Sequence, residues 1–257
     1  MMSAAETRQE AIIVMLRDEP FLSIGTLTQK FDISVATARR DLAELEKNGL
    51  LRRTHGGAVS VSQVANDLSN ALRAVSQQRE KQLICKTAAT MIDDGDVVLL
   101  DAGTTTLELA KLLALRQNLT FITNSADIIA EFIRHDVANF YAVGGEYAEI
   151  NRSFRGNLAE QFIRQFNVDK LVLNAASIDL ERGVILTGSP VNASIQRAML
   201  EVSRRIIVVA DHTKFMKSSF SVVAKIEDIS TIVTNEGARS IIEASPEKLR
   251  KKFVIAQ

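Results

Sequence analysis

Glycine, threonine and acidic residues collect directly after short apolar runs in the C-terminal part of the sequence. Asp101, Gly103 and three threonines follow the run at 96–101. At the start of a helix, such residues present backbone N–H groups, the positive end of the helix dipole and hydroxyl donors, which suit a phosphate or a carboxylate. Polar groups end three later runs in the same way. The predicted anion-binding residues are Asp101, Gly103, Thr104, Thr105, Thr106, Thr123, Asn124, Ser125, Gly144, Gly145 and Lys214.

These apolar runs alternate with helical stretches, which indicates βαβ units and therefore an α/β fold. The runs lie at 96–101, 119–124, 139–145, 170–176, 205–211 and 231–236. The pattern predicts a mostly parallel sheet with helices on both faces. Ligands bind beyond the carboxyl ends of the strands in such sheets. Strand-to-helix loops also carry Gly, Thr and Asp for helix capping alone, so the predicted site depends on several loops meeting at one sheet edge.

Near the N-terminus, two helical stretches joined by a short turn predict a helix-turn-helix. The second begins at Ser34, which can cap it, and places Val35, Ala38, Leu42 and Leu45 on one predicted buried stripe. The opposite side carries Thr37 and Arg40, as a helix facing a major groove would. A third helical stretch precedes these two. Ser23 can cap the helix before the turn.

A basic segment follows this helix and predicts a wing. Gly56 and Gly57 offer the positive φ values that hairpin turns need, and Arg52 and Arg53 precede them. We expect Thr37 and Arg40 to read bases, and the other arginines to hold phosphates. The predicted DNA-contacting residues are Ser34, Ala36, Thr37, Arg39, Arg40, Arg52, Arg53 and His55.

The composition limits which kinds of binding site and cellular location the sequence can predict. The 257 residues carry 31 basic and 31 acidic side chains, so any case for nucleic-acid binding must be local. Cys85 is the single cysteine, which leaves no disulfide within the chain, and its place on a helical face predicts a buried residue. We expect no metal and no cofactor. The polar start and the lack of a long apolar stretch predict a cytoplasmic protein without a membrane span.

Residues 33–58 resemble the signature of DeoR-family transcription regulators, including Arg39-Arg40-Asp41-Leu42 and His55-Gly56-Gly57-Ala58. The loops that follow the apolar runs match the effector domain of that family. The resemblance implies a winged helix-turn-helix and an effector domain similar in fold to ribose phosphate isomerase, which binds phosphorylated sugars. Arg73 and Lys81 match the spacing that marks the junction between the two domains.

The sequence departs from the family after the fourth apolar run and in the next helix. Asn174 and Ser177 stand where the family has glycines, and Gln196 stands where it has a lysine. Because glycine lets a ligand approach the backbone, these changes predict a narrower or reshaped site and an unusual effector.

We therefore predict a DNA-binding domain at 1–60, a linker at 61–78 and an effector domain at 79–257. The expected function is repression of a carbohydrate operon, relieved by a phosphorylated sugar, with double-stranded DNA as partner. Homo-oligomers are expected because one short helix reads few base pairs. The alternatives are a sugar phosphate isomerase with a fused DNA-binding or docking domain, and a protein-docking winged helix. An enzyme is not expected, because no pair of carboxylates has a spacing that commits to acid-base catalysis.

Overall fold

Three helices and a small antiparallel sheet build the N-terminal part of the computed structural model, which describes residues 4–18, 21–48, 50–54, 56–60 and 77–257. The described chain divides into two compact units, one within 1–68 and one within 69–257. The predicted linker, with Arg73, lies almost wholly in 61–76 and so outside the described residues. The N-terminal elements are α1 (Ala4–Asp18), β1 (Phe21–Ser23), α2 (Ile24–Phe31), α3 (Val35–Lys47), β2 (Leu51–Thr54) and β3 (Gly57–Ser60).

Both predicted N-caps are confirmed. Ser23 Oγ accepts the N–H of Thr26 at 2.9 Å, and Ser34 Oγ accepts the N–H of Thr37 at 3.1 Å. Between the two helices Asp32 adopts a left-handed conformation with φ of 49°, so the turn is tight. Strand β3 pairs antiparallel with β2 and with β1, which completes a winged helix-turn-helix.

The sequence analysis explained the two wing glycines by a need for positive φ values, and this explanation is wrong. Neither Gly56 nor Gly57 has a positive φ. Gly57 is instead required by a close approach, because a Cβ there would lie 2.0 Å from the carbonyl oxygen of Leu22. Pairing of β3 with β1 creates this approach.

The buried stripe of α3 is confirmed except at its first residue. Ala38, Leu42 and Leu45 are at most 3% exposed, whereas Val35 is 49% exposed. Val35 is the first helical residue and lies beyond the end of the core. Asp41 completes the buried face instead, at 4% exposure.

Seven parallel strands form the central sheet of the C-terminal unit, in the order β15-β14-β12-β9-β4-β5-β6. Each of the six predicted runs overlaps one of these strands, although β9 and β12 begin two residues before their runs. Their bounds are β4 (Val97–Leu100), β5 (Thr120–Thr123), β6 (Phe140–Ala142), β9 (Val168–Asn174), β12 (Ser203–Val209), β14 (Thr231–Asn235) and β15 (Phe253–Ala256).

Helices cover both faces of this sheet, as predicted. Alternate strand residues pack into two different cores: Leu100 faces one and Leu99 the other. The first core contains side chains of α4 (Gln78–Ala89), α5 (Thr104–Leu113) and α6 (Ala126–Arg134). The second contains those of α7 (Asn157–Ile163) and α8 (Pro190–Glu201). Two short helices, α9 (Arg239–Glu243) and α10 (Glu247–Arg250), precede β15.

The patterns did not predict the smaller elements. These are the hairpin β7 (Glu146–Ala148) and β8 (Ser153–Arg155), and a sheet of β10 (Ser177–Asp179), β11 (Val184–Thr187) and β13 (Ser221–Lys225). Strands of three to five residues are too short to show the alternation of apolar and polar residues that predicts a strand. The seventh parallel strand, β15, was also missed.

Lys170 joins three groups at the amino edge of the central sheet. Its Nζ donates at 2.9 Å to the carbonyl of Met91 and to the carboxylates of Asp93 and Asp96. The residue is 5% exposed, so its charge is buried with partners.

Candidate effector site and DNA-contacting surface

Asp101 follows β4 and is held by three hydrogen bonds. Its Oδ1 accepts the N–H of Ala102 at 2.8 Å. Its Oδ2 accepts the N–H of Asn174 at 3.2 Å and Nε2 of Gln196 at 2.7 Å. At 4% exposure, this carboxylate is a buried anchor between β4, β9 and α8.

The predicted threonine loop forms the start of α5, with Gly103 at the N-cap position and without a capping side chain. Thr106 Oγ1 turns inward and donates to the carbonyl oxygen of Asp101 at 2.6 Å. Its hydroxyl therefore holds the loop. Thr104 and Thr105 lie in the same first turn and remain the threonines predicted to contact a ligand.

Residues 123–125 lie beside this loop, as the topology predicted. Asn124 joins the two directly, because its Oδ1 accepts the N–H of Ala102 at 3.1 Å. Thr123 Oγ1 donates to the carbonyl of Leu100, and Ser125 Oγ caps α6 by accepting the N–H of Ile128. These side chains position the sheet edge, and their contact with a ligand stays a prediction.

Gly144 and Gly145 differ in their surroundings. A Cβ on Gly144 would meet nothing within 4 Å. Gly145 has φ of 141°, and a Cβ there would lie 2.6 Å from the carbonyl oxygen of Arg155. Gly145 is thus required for packing against β8, and Gly144 leaves open space.

Arg155, which the sequence analysis missed, ends β8 next to these glycines. Its Nη2 donates to Glu146 Oε1 at 3.1 Å. Its Nε is buried and has no hydrogen-bond partner within the part of the chain that the structure describes. The match of Phe154 and Gly156 to the effector domain of the family was the available signal, but no alternation in the sequence predicted β8 itself.

Lys214 follows β12 in the short helix His212–Met216, close to Asp211. Burial raises the pKa of Asp211, but the positive charge of Lys214 and hydrogen bonds from Thr213 outweigh it, so this pKa lies below its ordinary value. The charge of Lys81 adds to the effect. Lys81 is 3% exposed on α4, so the predicted junction residue also belongs to the surroundings of the site.

The side chain of Asn174 lies against the loop that begins α5, and its effect on the shape of the ligand site stays a prediction. Its Nδ2 donates to Thr106 Oγ1 at 2.7 Å and to the carbonyl of Asp101 at 3.3 Å. A Cβ on Gly103 would lie 2.5 Å from its amide. Ser177 is fully buried in β10.

On the N-terminal unit, most of the predicted DNA-contacting residues of α3 face solvent. Ser34, Ala36, Arg39 and Arg40 are exposed, and Thr37 is half-buried, with its hydroxyl 2.9 Å from Ser34 Oγ. These residues share the accessible side of the helix. The structure therefore leaves two arginines of α3 available to a groove.

The wing is described less completely. Arg53 forms an ion pair with Glu46, with Nε 2.6 Å from Oε2, so its side chain is held toward α3. Arg52 lies in β2, and His55 lies outside the described residues.

Among the described residues, which omit 61–76, no group of three or more His, Cys, Asp or Glu is arranged to hold a metal ion. No helix in these ranges has the length and apolar character to cross a membrane.

Comparison with known proteins gives matches over both units. The DeoR-like helix-turn-helix domain matches residues 8–64, and the DeoR C terminal sensor domain matches residues 76–236. Transcriptional repressor AccR of Agrobacterium fabrum is 65% identical over 254 residues, covering 99% of this chain and 98% of that protein. The putative aga operon transcriptional repressor of Escherichia coli O157:H7 is 33% identical over 249 residues, covering 96% and 91%.

Among solved structures, ribose 5-phosphate isomerase A of Methanocaldococcus jannaschii matches with a TM-score of 0.42 and 14% identity, covering 55% of each chain. The family models, which together cover most of the sequence, and the 65% identical relative decide the assignment. The chain belongs to the DeoR family of transcription regulators.

Proposed function

We propose that the protein is a DNA-binding transcription repressor of a carbohydrate operon, released from its operator by a phosphorylated sugar. The observation that carries the proposal is the capped helix α3, which exposes Arg39 and Arg40 in a chain that also has a sensor domain of the DeoR family. Two relatives are named transcriptional repressors, which supports repression as the sign of control.

In this proposal α3 enters the major groove of the operator. Arg40 and Thr37 contact base edges, since an arginine can bond guanine through two donors. Arg39, Arg52 and Arg53 contact phosphates, which fix the register and make binding depend on salt. Glu46 holds Arg53 in the wing through the 2.6 Å ion pair and would orient its guanidinium.

The sugar phosphate would bind at the carboxyl edge of the central sheet. The start of α5 offers backbone N–H groups beside Thr104 and Thr105. Asn124 and Asp101 hold this loop against β5 and β9. Lys214, after β12, supplies a cation at the other end of the site.

Helix α4 offers a route by which the effect of ligand binding is transmitted toward the DNA-binding unit. It begins at Gln78, directly after 61–76. Cys85 Sγ on this helix donates to the carbonyl of Thr105 at 3.1 Å. A ligand that moves the threonine loop would thus move α4, and a coupling of about 1–3 kcal/mol would suffice for regulation.

The site favours binding over catalysis. A general base needs a carboxylate that can take a proton from the substrate. Asp101 already accepts three hydrogen bonds, and Asp211 accepts two from Thr213 besides facing Lys214. Both carboxylates therefore act as structural anchors in this proposal, and the protein is a regulator rather than an enzyme.

We further propose that the protein acts in the cytoplasm as a homo-oligomer. Paired recognition helices bind half-sites about 34 Å apart and so read enough base pairs for specificity.

A mobility-shift titration on operator DNA selected from the organism's genome tests the function. Wild-type protein should bind at low nanomolar to micromolar concentration, and a sugar phosphate from a panel should release it. Arg40→Ala should weaken the specific complex by about 1–3 kcal/mol for each half-site, with Arg204→Ala as control because Arg204 lies in β12 of the other unit. Unchanged operator affinity of Arg40→Ala would refute the proposal.

A further inference from the structure

We propose that Arg155 binds the phosphate of the effector and releases Glu146 when it does so. This inference rests on the proposed function, because it assigns one group of the proposed ligand to one residue. Arg155 was not among the residues that the sequence predicted for the site.

The backbone places Arg155 at the effector site. Strand β8 lies along the end of β5, because the N–H of Phe154 donates to the carbonyl of Asn124 at 2.8 Å. The amide of Asn124 then bridges two neighbours. Its Nδ2 donates to the carbonyl of Phe154 at 3.0 Å, and its Oδ1 accepts the N–H of Ala102. A single side chain thus separates the residue before Arg155 from the loop that begins α5.

Only some of the hydrogen-bond donors of the Arg155 guanidinium have a partner in the described ranges. Arginine binds carboxylates and phosphates best through two parallel N–H groups. Arg8 shows this arrangement, with Nε and Nη2 donating to the two oxygens of Asp41 at 2.6 and 3.2 Å. Arg155 uses Nη2 for Glu146, whereas its buried Nε has no partner in the described ranges. An oxyanion with two available oxygens would complete the pair of bonds.

Glu146 is an exchangeable partner. Its side chain is 64% exposed, compared with 24% for Arg155. An ion pair with one solvated member contributes little to stability. A phosphate can therefore displace Glu146, and the released carboxylate can return to water.

We place Lys214 and Arg155 on different groups of the ligand, because the strands that position them are not neighbours. Lys214 follows β12, and Arg155 ends β8, which lies along the end of β5; β12 and β5 are three strand positions apart in the sheet. At a strand spacing of about 4.8 Å, the two strands are about 14 Å apart. Lys214 already faces the buried carboxylate of Asp211. We assign the phosphate to Arg155 and the start of α5, and the sugar to the Lys214 side.

The inference is tested by calorimetric titration of the full-length protein with inorganic phosphate, ribose 5-phosphate, glucose 6-phosphate and fructose 1-phosphate. Arg155→Ala should weaken binding of phosphate and of any binding sugar phosphate at least about tenfold, because two charge-assisted hydrogen bonds are lost. Arg155→Lys should lie between, since lysine keeps the charge and loses the paired donors. Lys214→Ala should weaken only the sugar phosphate.

Glu146→Gln tests the inference through an expected gain in phosphate affinity, opposite to the loss expected for Arg155→Ala. Removing the competing carboxylate should tighten phosphate binding, by up to about fivefold. Arg204→Ala is the matched control, because Arg204 is a 67% exposed arginine near the start of β12. It should bind each probe as the wild type does.

The outcomes separate the two claims. If Arg155→Ala and Arg155→Lys bind every probe like Arg204→Ala while Lys214→Ala loses sugar phosphate, the inference is wrong and the proposed function stands. If wild-type protein binds none of the probes, inorganic phosphate included, the inference is wrong, whereas the proposed function is decided separately by the operator titration. Equal melting temperatures of the Arg155 variants and the wild type confirm that a loss of binding is local.

Discussion

The amide of Asn174 occupies the space that Gly103 leaves open, and each residue constrains the other. A Cβ added to Gly103 would lie 2.5 Å from Cγ and Nδ2 of Asn174. Gly103→Ala should therefore cost about 1–3 kcal/mol of unfolding free energy through overpacking. Urea unfolding measures this loss.

The double variant Gly103→Ala/Asn174→Gly should recover part of the loss, with a coupling of about 0.5–3 kcal/mol between the two positions. Gly144→Ala is the control, since a Cβ there meets nothing within 4 Å. Additive effects of the two substitutions would contradict the contact.

The two arginines of α3 should differ in what they contribute to operator binding. Arg40→Ala should relax base preference at one position of each half-site, by about 1–3 kcal/mol. Arg39→Ala should weaken all sequences alike and reduce the salt slope by about 1 per half-site contact. Competition binding on randomised operators at several salt concentrations distinguishes the two. The assignment fails if Arg39→Ala changes the preferred base.

Asp41 stabilises the DNA-binding unit through Arg8. Because the carboxylate is 4% exposed and accepts two bonds from Arg8, Asp41→Asn should destabilise this unit by about 1–3 kcal/mol. Operator binding should fall only because less protein is folded. Glu44→Gln, on the exposed side of α3, is the matched control. Thermal unfolding of both variants should show a loss for Asp41→Asn alone.

Asp211 should make the sensor unit sensitive to acid. Its pKa in the folded protein lies below the ordinary value of 3.8, so its stabilising contribution is present above that value and is lost as the pH falls further, through the folded pKa. As the pH falls from about 5 to about 2, wild-type protein should lose stability more steeply than Asp211→Asn. Lys214→Ala removes a charge that lowers this pKa, so the acid-dependent loss of stability should be smaller in this variant. Thermal melting at each pH gives the comparison, and parallel curves for wild type and Asp211→Asn would contradict it.

Local signals predicted much of this fold. Ser23 and Ser34 are caps because each sits directly before an apolar helical pattern, and each of the six apolar runs overlaps a strand of the parallel sheet. Val35 shows the limit of periodicity, which gives a helix face but not the place where the core ends. Its 49% exposure depends on packing at the start of the helix.

Long-range contacts could not be predicted in this way. Gln196 reaches Asp101 across 95 positions, and β8 brings Arg155 beside Asn124 through backbone bonds that no residue type announces. The sequence identified the loops of the candidate site. It did not identify the side chains that other elements bring to those loops.

The buried side chain of Lys170 forms its ion pairs at the amino edge of the sheet, opposite the loops that are proposed to bind the effector. Anchoring and signal recognition are therefore placed at opposite ends of the same strands. Substitutions in the carboxyl-edge loops can change which metabolite is recognised while the anchor keeps the sheet intact. Such an arrangement lets descendants of one repressor acquire new inducers by a few substitutions, while every intermediate sequence still folds.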